Sequence, residues 1–157
     1  MKWKFPKSLD KIFVDKAKVE RNVHFFKQKN SKDEVGPARY SFIANRYDYL
    51  RIAKAMMDDW NNDTCVGKYL KDVYESRQKK NDPDTNPSSS FGFPKSYGGQ
   101  FHFDYPGASK RKILGMDGYG GQSILIDFDR SRIVLVHAIH KNYNWKKLVF
   151  NPIKNGK

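Results

Sequence analysis

The stretch GMDGYGGQSILIDFDRSRIVLVHA, residues 115–138, decides the fold. SILIDF at 123–128 and IVLVHAI at 133–139 are strand candidates rich in β-branched and aliphatic residues, joined by a short polar hairpin connection at 129–132. IVLVHAI is nearly continuous in apolar residues, the pattern of a central strand covered on both faces, so helices must cover this sheet. Residues 112–116 supply another short strand. Between that strand and SILIDF stand Gly118, Gly120 and Gly121. Glycines so placed either bend a strand tightly or let another molecule approach the backbone.

Downstream, Trp145, Leu148, Val149 and Pro152 after Asn144 predict a terminal helix over 144–152 that packs back onto the sheet. Upstream, residues 98–103 alternate around Phe101 and Phe103 and read as one more strand. NDPDTNPSSS at 81–90 is dense in turn formers and reads as an exposed loop within a connection spanning 78–96. Before it, Asn45 can cap a helix with Asp48 as its reciprocal partner, and Leu50, Ala53, Met57 and Trp60 recur at helical spacing. Asn61, Asn62 and Asp63 break this helix. Val66, Tyr69, Leu70 and Val73 mark a second, shorter one, giving a helix pair over 45–77. Residues 1–35 show no sustained period beyond one short helix. The fold class is α+β, an antiparallel sheet at 97–140 flanked by helices, with 36–157 as the structured domain.

The chain of 157 residues has the length of one domain, and 38% hydrophobic residues suffice for a core. No run approaches the ~18 apolar residues of a membrane span. MKWKFPKSLDKIFV lacks the apolar segment of a signal peptide, so a cytoplasmic chain is expected if Met1 is the start, and a periplasmic or secreted one if a longer parent exists. A lone Cys65 offers neither an internal disulfide nor a cysteine metal cage. Thirty Lys and Arg against 17 Asp and Glu give +13, a field that attracts phosphates and acidic surfaces. However, 22 of the 30 are lysines spread along the chain, which argues against a surface built to read nucleic acid.

GPARYSFIANRYDYLR at 36–51, the helix pair, YGGQFHF at 97–103 and the 115–138 stretch stand in an order that resembles the carboxy-terminal part of serine hydrolases related to class C β-lactamases, penicillin-binding proteins and 6-aminohexanoate-dimer hydrolases. The resemblance covers about three quarters of the chain. It implies the carboxy-terminal portion of a β-lactamase-like (DD-peptidase-like) fold. It also implies acyl transfer to amides or esters, in which a serine attacks the carbonyl and a lysine and a tyrosine move protons. No cofactor is implied. Met116, Asp117 and Gly118 fall where the penicillin-binding branch carries Lys-Thr-Gly, which makes the backbone N–H of Tyr119 the oxyanion donor. Gly118, Gly120, Gly121 and Gln122 then become substrate-side residues. Preorganised backbone donors suit a developing oxyanion because they need no reorganisation during the reaction. Gln122 has two readings, a hydrogen bond to a substrate amide or a cap on the strand edge. No Lys or His stands at the Lys-Thr-Gly position, so the amidase, esterase or nylon-oligomer branch fits better than β-lactam recognition.

The attacking half of the chemistry is absent. Ser-x-x-Lys occurs at Ser8/Lys11, Ser76/Lys79 and Ser109/Lys112, but roughly one or two such matches arise by chance in this composition. Lys11 precedes Asp48 by only 37 residues, too few for the helical region that separates these elements in the family, and the other two lie downstream. No Tyr-x-Asn is present. The chain therefore reads as the back half of a hydrolase, inactive alone. Its partner is either a missing amino-terminal half or a second copy meeting the open apolar edge at 133–139. The other reading is a non-catalytic basic module for nucleic acid or acidic partners. The histidines His24, His102, His137 and His140 form no metal-ligand spacing. Asp48 and Arg51, one helical turn apart, read as a cap and a local ion pair. Tyr97, Phe101, Tyr105 and Tyr119 suit base stacking only if exposed together, and alternate strand positions favour core.

Overall fold

A computed structural model describes residues 11–21, 23–27, 40–80, 90–118, 120–138, 140 and 142–156. Two compact units, Met1–Ile52 and Ala53–Lys157, divide the chain. In the first, a π-helical turn at Lys11–Lys16 precedes an antiparallel hairpin of β1 (His24–Lys27) and β2 (Tyr40–Ile43), with Phe25 opposite Phe42. The sequence reading missed this hairpin. The Phe42 ring stacks on Phe13 at 5.6 Å and meets Tyr49 edge-on at 5.4 Å, while the Tyr49 hydroxyl donates to the Phe42 carbonyl at 2.9 Å.

Helix α1 (Arg46–Asn61) begins where the sequence places it. Asn45 Oδ1 accepts from the amides of Tyr47 (2.9 Å) and Asp48 (3.0 Å), and the Asn45 side-chain amide donates back to the Asp48 carboxylate. That exchange is the reciprocal cap, with Asp48 also paired to Arg51 at 3.1 Å. Of the expected apolar face, Ala53, Met57 and Trp60 are buried and Leu50 is exposed. Helix α2 (Cys65–Glu75) is capped by Thr64, whose hydroxyl accepts from the Gly67 amide at 3.2 Å. Its buried stripe is Gly67, Leu70, Val73 and Tyr74, whereas Val66 and Tyr69, which helped to mark the helix in the sequence, are exposed. Gly67 lies against α1 so closely that a β-carbon there would stand 1.9 Å from the Asp59 carbonyl oxygen.

The second unit is built on a six-stranded antiparallel sheet, in order β3 (Gln78–Lys79), β4 (Ser96–Gly98), β5 (Phe101–Phe103), β6 (Ile113–Asp117), β7 (Ser123–Asp127) and β8 (Arg132–Val136). Residues 98–103, expected as one strand, are split: Gly99 and Gln100 both take positive φ, +53° and +71°, the requirement of a two-residue primed turn joining β4 to β5. Residues 78–79, expected in a loop, pair with β4 as β3. β8 is an edge strand, paired among the described residues with β7 alone, which is the open edge expected at 133–139 and not the central place its apolar run alone suggests.

Alternation sorts the strand side chains into two cores. On one face Phe103, Leu114, Ile126 and Phe128 pack with Ala53, Met57, Trp60, Leu70 and Tyr74 of the helix pair, and Trp60 stacks on Phe128 at 4.0 Å. On the other, Tyr105, Ile113 and Leu125 pack with Trp145, Val149, Phe150 and Ile153. The last four belong to the terminal helical segment, a π-helical stretch Lys146–Phe150 that continues as α3 (Asn151–Asn155). It is longer than the expected 144–152. Arg111 clamps it, donating to the carbonyls of Lys154 (3.0 Å) and Ile153 (2.8 Å) while pairing with the fully buried Asp127. Among the described residues no helix is long and apolar enough to cross a membrane.

Candidate functional site

The register of β6 on β7 sets Asp117 opposite Ser123 and leaves 118–122 as the turn between them. The Gly118 amide donates to the Gln122 carbonyl at 2.8 Å, and the Gly121 amide to the Gly118 carbonyl at 3.0 Å. Gly121 has φ +90°, a conformation that favours glycine. Tyr119, the expected oxyanion donor, lies outside the described residues. The other expected site residues, Gly118, Gly120, Gly121 and Gln122, are brought together here. Among the described residues the amide of Gly120 has no acceptor, whereas that of Gly118 is consumed by the turn.

Gln122 folds back over this turn. A β-carbon at Gly118 would lie 2.6 Å from Gln122 Oε1, and one at Gly120 2.7 Å from Nε2. Nε2 donates to the Ala138 carbonyl at 3.1 Å, tying the turn to the segment after β8, and the Tyr143 hydroxyl donates to the Gly121 carbonyl at 2.8 Å. Two of the glycines thus make room for the Gln122 side chain, and one of its amide hydrogens is spent on the fold.

Below the turn lies a polar chain that the sequence reading did not single out. Trp145 Nε1 donates to Ser123 Oγ at 3.0 Å, and Ser123 Oγ donates to Asp117 Oδ1 at 2.6 Å. Asp117 Oδ2 is 3.8 Å from His102 Nε2. Burial raises the Asp117 carboxyl to about 6, against the opposing pull of Ser123, Ser90 and the Lys80 charge. Burial, aided by Lys80, lowers the His102 imidazole to about 4. At neutral pH the imidazole is therefore neutral and the carboxylate mostly ionised. The signal that could have found this pair is an acid at an inward strand position, directly across from a serine.

The Ser-x-x-Lys pairs gain nothing from the structure. Ser76 Oγ donates to the Asp72 carbonyl at 2.7 Å at the end of α2, and Ser8 lies outside the described residues. Among the described residues no three His, Cys, Asp or Glu side chains gather as a metal site. No known protein family, curated protein or solved structure matches the chain.

Proposed function

We propose that this chain is the carboxy-terminal part of a serine hydrolase related to class C β-lactamases and 6-aminohexanoate-dimer hydrolases, cleaving amides or esters through a seryl acyl-enzyme. In this reading the 118–122 turn supplies the oxyanion donor, with the Tyr119 amide in that role. The nucleophile, its lysine and the Tyr-x-Asn element come from an amino-terminal half, so the chain alone is inactive. The supporting observation is the glycine-rich turn ending β6, where Gly118, Gly120 and Gly121 carry no side chain over the backbone and Gly121 takes φ +90°. An antiparallel sheet with helical elements on both faces is also what the reading requires. The edge left by β8 is where an added strand would pair.

The test is complementation. Mixed with an amino-terminal half carrying an authentic Ser-x-x-Lys and Tyr-x-Asn, the chain is expected to hydrolyse a chromogenic ester, and alanine at that serine to abolish turnover. Tyr119→Pro removes the amide donor and should lower kcat by about 10²–10³-fold. Tyr119→Phe keeps the amide and should leave kcat unchanged. Equal losses in the two variants would remove Tyr119 from the oxyanion role.

A further inference from the structure

Within the unit Met1–Ile52, Glu20, Arg21, Asn45, Arg46, Tyr47 and Arg51 line a concavity of about 240 Å³. Half of these side chains are arginines, and they are not equally engaged. Arg51 is held by two acids, at 3.1 Å from Asp48 Oδ1 and in direct contact with Glu20. Asp48 is itself saturated. It is buried, which alone would raise its pKa, yet hydrogen bonds from the Glu20 amide, Asn45, Arg51 and the Arg21 amide hold the carboxyl below its ordinary value.

Arg21 and Arg46 differ from Arg51. Neither has a carboxylate partner among the described residues, and Arg46 lies against its neighbour Tyr47, at 3.2 Å to the hydroxyl and 4.9 Å to the ring centroid. Three arginines thus line the concavity, and the two carboxylates beside it, Glu20 and Asp48, are both paired with Arg51. The end of α1 is already capped by Asn45, so it adds only its dipole.

We propose that this concavity binds a small oxyanion, a phosphate or carboxylate group, through the forks of Arg21 and Arg46. A planar guanidinium matches such groups with two parallel hydrogen bonds, and it stays charged at any physiological pH. The volume lies below the roughly 300–1,000 Å³ of pockets for drug-sized ligands, which limits the ligand to a small anion or a short anionic end of a larger one. This site is independent of the turn at 118–122 and of the hydrolase reading.

The experiment is calorimetric titration of the full chain with inorganic phosphate and, separately, with malonate, at constant ionic strength in chloride. Saturable one-site binding of at least one anion is expected, and which anion binds separates a phosphate ligand from a carboxylate one. Arg21→Gln and Arg46→Gln should each weaken binding at least tenfold. Lys68→Gln, an exposed lysine of α2, should change it less than twofold. Arg46→Lys keeps the charge and loses the fork; with an unchanged circular dichroism spectrum it should still weaken binding several-fold. Absence of saturable binding by both anions, or equal weakening by Lys68→Gln, would overturn the proposal.

Discussion

Two residue-level features carry consequences that can be weighed. Gly67 sits inside α2, where alanine would gain about 1 kcal/mol of helix propensity. The β-carbon would, however, meet the Asp59 carbonyl oxygen at 1.9 Å, a backbone atom that cannot swing aside. Overpacking of this kind costs about 1–3 kcal/mol or more, so Gly67→Ala is expected to destabilise by about 2 kcal/mol in urea unfolding. A neutral or stabilising result would mean that the helices part without cost. The second feature is the pair His102 and Asp117, with Lys80, Ser90, Ser123, Tyr105 and Tyr143 around it. Asp117 is raised to about 6, so its contribution to stability falls as pH rises from about 4 to 6. His102 is lowered to about 4, so the unfolded chain takes up its proton first and its contribution rises over about 4 to 6.5. The two slopes oppose. Relative to the parent, His102→Gln should lose stability as pH climbs from 4 to 6, and Asp117→Asn should gain it. Urea midpoints that run parallel to the parent for both variants would exclude the opposed titration.

At the scale of elements, the terminal helical segment depends on Arg111, which joins buried Asp127 to two carbonyls of α3. Arg111→Ala leaves the Asp127 charge buried without its partner, a change expected to cost about 3–5 kcal/mol and to expose the terminal segment to proteolysis first. Undiminished stability would show Asp127 finding another partner. Strand β8 carries the other element-level prediction. Ile133 packs on the helix-pair side and Val134 and Val136 on the terminal-helix side, while Leu135 joins neither core. Self-association through this edge should appear in sedimentation as a concentration-dependent rise in mass, and Leu135→Lys should weaken it at least tenfold without loss of helicity. A monomer at high concentration in the parent would contradict it.

Which elements were legible follows from the kinds of residue that make them. α1 was legible because Asn45 caps it and Ala53, Met57 and Trp60 repeat on one face. The α2 stripe was misassigned because its closest contact is made by Gly67, which carries no apolar signal, while Val66 and Tyr69 carry one and face out. The β4–β5 hairpin was missed because the second positive φ falls on Gln100, a residue with no turn signature. The apolar run at 133–139 has the pattern of a central strand because sequence reports what covers a strand's faces and not how many neighbours pair with its edges; its place at an open edge followed from the resemblance alone.

For the whole molecule, the α+β class and the antiparallel sheet were legible from the alternating runs, and Gly118, Gly120, Gly121 and Gln122 do meet in one turn. The burial of His102 beside Asp117 was not legible, because it depends on β5 pairing with β6 across a long connection. Nor was the concavity lined by Arg21 and Arg46, which joins residues from either side of the β1–β2 hairpin. The hydrolase reading meets its most direct test in the intact mass of this chain and a complementing amino-terminal half after exposure to an acylating ester. The expected result is an acyl adduct on the serine of the added half that forms only when this chain is present. An adduct that forms equally without it, or none in the mixture, would contradict the reading.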